Sequence, residues 1–483
     1  MKTRNKNLFN LKPYWLALGV ASSLVLSGCA DDGKDGTDGV QGPAGENGTD
    51  GVSQLVTQQD VLKTNANIAY ASYGDSLIGA ISLKSALQAL IENPTEETLN
   101  QAKIAWVESR EPYLQTEVYR FRSGPIDALK DDGTMGEDGD GPEGQINAWP
   151  LGEAIIDYVA NAVDGDPNPE NISSTANINI NIIADSINFP EINKAILKDN
   201  FELNGDERNV TTGYHAIEFL LWGQDLNLDG SGGGPRDTSS GTRPVSDYYF
   251  QDNGHLGQCT SGAGQGSADE TCVRRAAYLM AAADLLVDDL QRLVDAWNPS
   301  GSNNYYHSFV AGGDNSLAKI LEGMGRLGYG ELAGERMNIA LLTDSQEDEH
   351  SCFSDNTHRD IYLDALGIQN TFLGQYTRID GQLVEGAGID DLLVVNGHAE
   401  LANQLRAHLE DTMAKVRVID VRAKSGLPFD NQIQLGINEP NITASINALV
   451  AQTSVIEQAI TALNVATGDL CQDTEENIGN ACN

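Results

Sequence analysis

The segment Gly213-Tyr214-His215-Ala216-Ile217-Glu218-Phe219-Leu220-Leu221-Trp222-Gly223 sets two ionisable side chains in an otherwise apolar run. Apolar residues on every side imply a helix buried nearly all round. His215 and Glu218, three residues apart, then occupy neighbouring positions on one face. An imidazole and a carboxylate so placed are good ligands for a divalent or ferric ion. They can also bond each other and merely order a core. Burying a carboxylate costs on the order of several kcal/mol unless a cation or donors offset it, which favours the metal.

Helical zinc hydrolases carry H-E-x-x-H or H-x-x-E-H, two imidazoles with a general base between or beside them. Phe219 follows Glu218 here and no second histidine lies within a turn, so further ligands must come from distant segments. On a helix that includes Trp106, Arg110, Tyr113, Glu117 and Phe121, Glu117 is the expected additional metal carboxylate. Arg110 is expected to orient it or pair with an anion. In the second half, the run from Glu347 to His358 is dense in donors, and His350, Ser351 and Asp355 are the residues expected to support the site. The same run suits a solvated loop, with Asp355 or Asn356 placed to cap a helix starting near 357. Separately, Asp225-x-Asn227-x-Asp229-Gly230 matches the first half of a calcium loop. The closing position holds Arg236 with Asp237 beside it, and an Asp/Asn/Gly turn is the alternative.

These residues need helices to hold them. Apolar residues recur with helical period at about 55–92, 96–122, 268–297, 303–328, 357–378, 395–423 and 442–469, with shorter stretches near 151–162, 191–200 and 207–222. Pro94 stops one helix and Thr95 can cap the next, and Asn298-Pro299 closes another. Alternating strand patterns are scarce. The expected fold is all-α, two four-helix-bundle-like domains packed together, at 54–255 and 268–472, divided by the Gly-, Asp- and Ser-rich stretch from 223 to 268.

The chain opens with Lys2, Arg4, Lys6 and Lys12 before an apolar run, Tyr14 to Leu26, that is short for a membrane span. The run ends Leu26-Ser27-Gly28-Cys29, the pattern of a bacterial lipoprotein signal, so residues 1–28 read as a leader and Cys29 as the lipidated first residue. Ala30 in the next position points to the outer membrane. Residues 29–53 carry seven Gly-X-Y triplets and read as a solvated tether. In a compartment that permits disulfides, two bridges are expected from the close pairs, one between Cys259 and Cys272 and one between Cys471 and Cys482, leaving Cys352 as a buried thiol. With 70 Asp and Glu against 30 Lys and Arg, the formal charge of −40 excludes nucleic-acid binding through basic patches. It draws cations instead.

The motif G-x-H-x-x-E at 213–218 stands with four other segments: WVESREPYLQTEVYRFRSGPID at 106–127, NAWPL at 147–151, GELAGERM at 330–337 and EDEHSCFSDNTHRD at 347–360. In these the chain resembles the imelysin-like proteins of bacterial envelopes, in particular the iron-regulated protein A branch, over residues 54–470. The resemblance implies two helical bundles with a site between them and a role in iron uptake or sensing. Some members of the family have been called metallopeptidases. The function expected is therefore a lipid-anchored metal-binding protein whose cofactor is a divalent or ferric ion, with iron or an iron chelate as its partner. A metallopeptidase using His215 and Glu218, and a surface adaptor without metal, are the alternatives.

Overall fold

The computed structural model describes residues 55–159, 181–226, 236–260, 267–436 and 440–470. The leader, Cys29 and the tether lie outside these residues, as do Asn227 and Asp229 of the expected calcium loop.

Eight longer helices carry the described chain: α1 (Gln58–Glu92), α2 (Glu96–Leu114), α3 (Gly213–Trp222), α4 (Ala268–Trp297), α5 (Asp314–Arg326), α6 (Thr357–Leu373), α7 (Ala399–Lys424) and α8 (Pro440–Ala462). A π-helical stretch, Leu327–Ile339, continues α5 without a break. One short antiparallel hairpin, β1 (Gln375–Thr377) with β2 (Leu383–Glu385), and an isolated bridge between Leu129 and Met135 make up the β-structure among the described residues. The fold is all-α.

Local chemistry sets most of the helix ends. Thr57 and Asp60 form a capping box at the start of α1, with Asp60 N–H donating to Thr57 Oγ1 at 3.2 Å and Thr57 N–H to Asp60 Oδ2 at 2.9 Å. Thr95 caps α2 beyond Pro94 as its sequence implies. The helix expected over 96–122 instead ends at Leu114. Pro112 lacks the N–H that would donate to the Glu108 carbonyl one turn back, which weakens the end of the helix, and the chain passes into a 3-10 turn at Glu117–Tyr119. The helix expected over 303–328 is broken at Gly312-Gly313, where Gly313 has φ +55°. Gly374, at φ +63°, ends α6 before the hairpin, where the apolar period implies helix as far as 378.

Helices α1, α2, α3 and α4 pack on one another, so this group takes a helix from each side of the 223–268 stretch. The π-helical stretch, α6, α7 and α8 form a second group around Leu332, Met337, Ile361, Val416, Ile419 and Leu449. The two groups meet where α2 lies against α6, which brings Arg110 to Asp360. Of the two expected disulfides, the one from Cys259 to Cys272 is formed at the head of α4. The other, from Cys471 to Cys482, lies outside the described residues. Cys352 is a buried free thiol, as expected.

All ten residues of α3 are buried. Its first, Gly213, has φ +77°, and a Cβ there would lie 2.4 Å from the Ile146 carbonyl oxygen. Only glycine lets the chain enter α3 against residues 145–146, and that entry fixes where His215 points. Gly213→Ala is expected to lose at least about 2 kcal/mol of unfolding free energy through the left-handed backbone and the clash. Urea denaturation checks this, and an unchanged midpoint would contradict it.

Candidate functional site

His215 and Glu218 meet as their spacing implies, with Nδ1 of the imidazole 2.8 Å from Oε2 of the carboxylate. The other oxygen, Oε1, accepts from the backbone N–H of Ser354 at 3.0 Å and from its hydroxyl at 2.6 Å. Glu218 thus ties α3 to the loop 344–356 that precedes α6. Both side chains are sealed from water, and the Nε2 of His215 is buried with no hydrogen-bond partner.

Beside His215 stands His350, its ring centroid 4.8 Å away and the planes at 68°. His350 repeats the arrangement of its neighbour: its Nδ1 is 2.8 Å from Oδ2 of Asp360, an oxygen that also accepts from the Ser351 hydroxyl. Its Nε2 faces the side-chain amide of Asn147 at 3.3 Å. The Asn147 carbonyl is taken by Arg110, so its NH2 donates to His350, which places the His350 lone pair on Nε2. Trp149 meets His350 edge-on at 5.2 Å. Burial and the cations Arg336, Arg110 and Arg120 hold His350 neutral. Burial, with His350 and Arg110, does the same for His215.

Arg110 is fully buried and has its guanidinium 4.9 Å from the centre of the Tyr214 ring. It reaches Asp360 Oδ1 at 3.3 Å. Glu117 joins the network from behind Asn147, whose amide is 3.4 Å from Oε1. Its other oxygen is 2.9 Å from Arg120 and 2.7 Å from Arg336. Arg336 in turn pairs with Asp364 at 2.6 Å. Glu117 therefore balances guanidinium charge here, and burial opposes while Arg120 and Arg336 outweigh it to hold the carboxyl below its usual range.

Of the residues expected to support the site, Arg110, His350 and Ser351 are in it. Asp355 is not. It lies at the far side of the loop with φ +60°, where Asp430 and Asp237 are its charged neighbours. Nor do Asp355 and Asn356 cap α6: Asn356 holds the N-cap position without a side-chain bond. Sequence reasoning gave no role to Asn147, Ser354, Asp360 and Arg336. All four lie in segments that carry the family pattern, and each is a polar residue in or beside an apolar stretch.

The donor set is mixed in its fitness for a metal. The bare Nε2 of His215 suits one. Glu218, bonded at both oxygens, serves in this arrangement to orient the imidazole. Among the described residues no three His, Cys, Asp or Glu side chains converge on a point that one ion could occupy.

Burial pushes the Glu218 carboxyl up to about 8, and hydrogen bonds from Ser354 oppose the shift. Between its ordinary value of 4.5 and about 8, the folded chain keeps a proton that the unfolded chain releases, so stability falls as pH rises through that window. Glu218→Gln removes the term. The metal-free variant is expected to gain on the parent by ~1 kcal/mol per pH unit across the window. Thermal unfolding of both proteins from pH 5 to 9 checks this, and parallel profiles would contradict it.

The family model for imelysin, peptidase family M75, matches residues 69–456. Among solved structures, a protein described as an iron-regulated protein A precursor from Parabacteroides distasonis superposes with a TM-score of 0.55 at 13% identity, covering 85% of this chain and 97% of that one. An imelysin-like protein from Psychrobacter arcticum superposes with a TM-score of 0.51 at 14% identity, covering 86% and 99%. No curated protein matches. The matched span contains α2, α3, the loop 344–356 and α6, every element that builds the site just described, and the chain belongs to the imelysin family.

Proposed function

We propose that this chain is an envelope-anchored, metal-binding lipoprotein of the imelysin type that serves iron uptake or sensing, with the ion held between His215 and His350. The observation that carries this reading is the Nε2 of His215, buried and without a partner on a ring fixed at Nδ1 by Glu218. A neutral imidazole bonded to a carboxylate through one nitrogen and bare at the other is the form in which histidine ligates metals. His350 with Asp360 offers the same form once the Asn147 amide releases its Nε2.

In this reading Glu218 and Asp360 set the two tautomers, while Glu117 neutralises Arg120 and Arg336 and steadies Asn147. Two imidazoles are an incomplete set, so the ion comes with ligands of its own. Arg110, beside His350 and Asp360, suits a chelate that carries negative charge. A bound ion would supply the positive charge that lets buried Glu218 ionise at neutral pH. Binding is favoured over peptide hydrolysis because both Glu218 oxygens are engaged, leaving no free base to face a water.

Iron is supported by family membership and by the description of the Parabacteroides relative as iron-regulated. The Leu26-Ser27-Gly28-Cys29 run and the Gly-X-Y tether support lipid anchoring at the outer membrane.

Iron bound after incubation with ferric citrate and gel filtration, counted by mass spectrometry, tests the reading. About one iron per chain is expected for the parent and little for His215→Ala. Glu218→Gln is expected to lose it too. The Ser354 N–H obliges the amide oxygen to face the loop, so the amide NH2 donates to His215 Nδ1 and moves the ring proton to Nε2. Equal iron in His215→Ala and the parent would overturn the site.

A further inference from the structure

Both histidines of the site are sealed from water, so whatever reaches them needs a way in. A cleft of about 590 Å³ lies close by, with Arg120, Phe121, Glu143, Gly144, Gln145 and Phe201 in its wall. Three of these belong to the short helix Glu143–Asn147. The first three residues of that helix line the cleft. Its last, Asn147, does not, and holds its amide 3.3 Å from His350 Nε2. One turn of helix thus joins the cleft wall to the group that covers a site nitrogen. A second path runs beside it through side chains, from Arg120 to Glu117 at 2.9 Å and from Glu117 to Asn147 at 3.4 Å.

The helix is held lightly at both ends. At the cleft, Glu143 pairs with Arg120 at 3.2 Å, and Arg120 is shared with Glu117 and with Glu331 at 3.3 Å. The Glu143 side chain is 23% exposed, against 1% for Glu117 and 11% for Glu331, so Glu143 is the partner that water replaces most readily. At the site, the contacts of the Asn147 amide with His350 and Glu117 are at the long end of the hydrogen-bond range. Between the two ends Ile146 is buried, with its carbonyl against Gly213 at the head of α3. Arg120 and Phe121 reach the cleft from a strained turn. Phe121 and Ser123 have φ +61° and +49°, and the Asp127 carboxylate holds the turn by accepting from the N–H groups of Phe121, Arg122 and Gly124. Strain of this kind persists only where the surrounding fold enforces it, and it gathers at ligand clamps and switches.

We propose that this cleft is the entrance to the histidine pair and that the short helix is its shutter, latched by Glu143 on Arg120 and pivoting at Ile146. Release of Glu143 tilts the helix and draws Asn147 off His350, which bares Nε2 and opens the way from the cleft. Arg120 and Glu143 are positioning residues: they act through Asn147 and touch neither histidine. The proposal rests on the reading that a ligand goes to His215 and His350, and it adds the route and what controls it.

The test is the rate at which diethyl pyrocarbonate, which acylates the lone pair of a neutral imidazole, modifies His215 and His350 in the metal-free protein. Mass spectrometry reads the modification, with exposed His307 as the internal reference. Glu143→Ala removes the latch and is expected to raise the rate at both histidines several-fold. Asp138→Trp sets a ring at the exposed rim of the cleft and is expected to lower it several-fold, whereas mere loosening of the fold would raise it. Iron uptake from ferric citrate, followed by quenching of tryptophan fluorescence, is expected to quicken in the first variant and slow in the second, with the final iron per chain unchanged. Equal reagent rates in the parent and Glu143→Ala would overturn the latch, and an unchanged or faster rate in Asp138→Trp would overturn the cleft as the route. Reagent rates that shift as expected in a protein that takes up no iron would uphold the entrance and sink the iron reading alone.

Discussion

The bond from Glu218 to His215 Nδ1 governs the rest of the site. A carboxylate in so dry a place persists only with donors around it, and the Ser354 N–H and hydroxyl supply two of them from another part of the chain. Once ionised, that one side chain does three things. It fixes the ring, selects the nitrogen that stays bare, and clasps the loop 344–356 to α3. A shift of the loop would free the carboxylate, and the tautomer of His215 would no longer be determined.

Around this bond lies an unusual density of buried charge. Arg110 and Arg336 are fully enclosed, and Asp360, Asp364 and Glu117 answer them. Such pairs are poor sources of stability, since desolvation consumes most of the Coulomb gain, and an apolar core of equal volume would hold as well or better. What they supply is position. Each guanidinium spans two helix groups, Arg110 from α2 to α6 and Arg336 from the π-helical stretch to Glu117. The π-helix widens the backbone where Glu331 and Arg336 project inward, and both end on the same ion network. The network thus locks the junction of the two groups at the place where the histidines meet.

Much of this was legible before the fold was known. Helical period, Pro94, Thr95 and Asn298-Pro299 located α1, α4 and the start of α2 closely, because those ends are set by local chemistry. The closeness of His215 to Glu218 followed from the helical repeat alone. What failed was of two kinds. Breaks at Pro112, Gly313 and Gly374 were overridden by apolar patterns that run through them. The pairing of His350 with His215 is a tertiary fact, and the two are 135 positions apart. The expected direct ligation by Glu117 met a similar obstacle: Arg336, which occupies that carboxylate, lies 219 residues away. Asp355 shows the limit within one short loop. Next to Ser354 in sequence, it faces the opposite side, because its left-handed backbone turns it toward Asp430.

The central claim is that His215 carries its proton on Nδ1 and keeps Nε2 as a bare lone pair when Glu218 is ionised. Nitrogen-15 chemical shifts of histidine-labelled protein at pH 9 read this directly. The account expects a pyrrole-type Nδ1 and a pyridine-type Nε2 for His215, reversed in Glu218→Gln. A pyridine-type Nδ1 in the parent at that pH would contradict it.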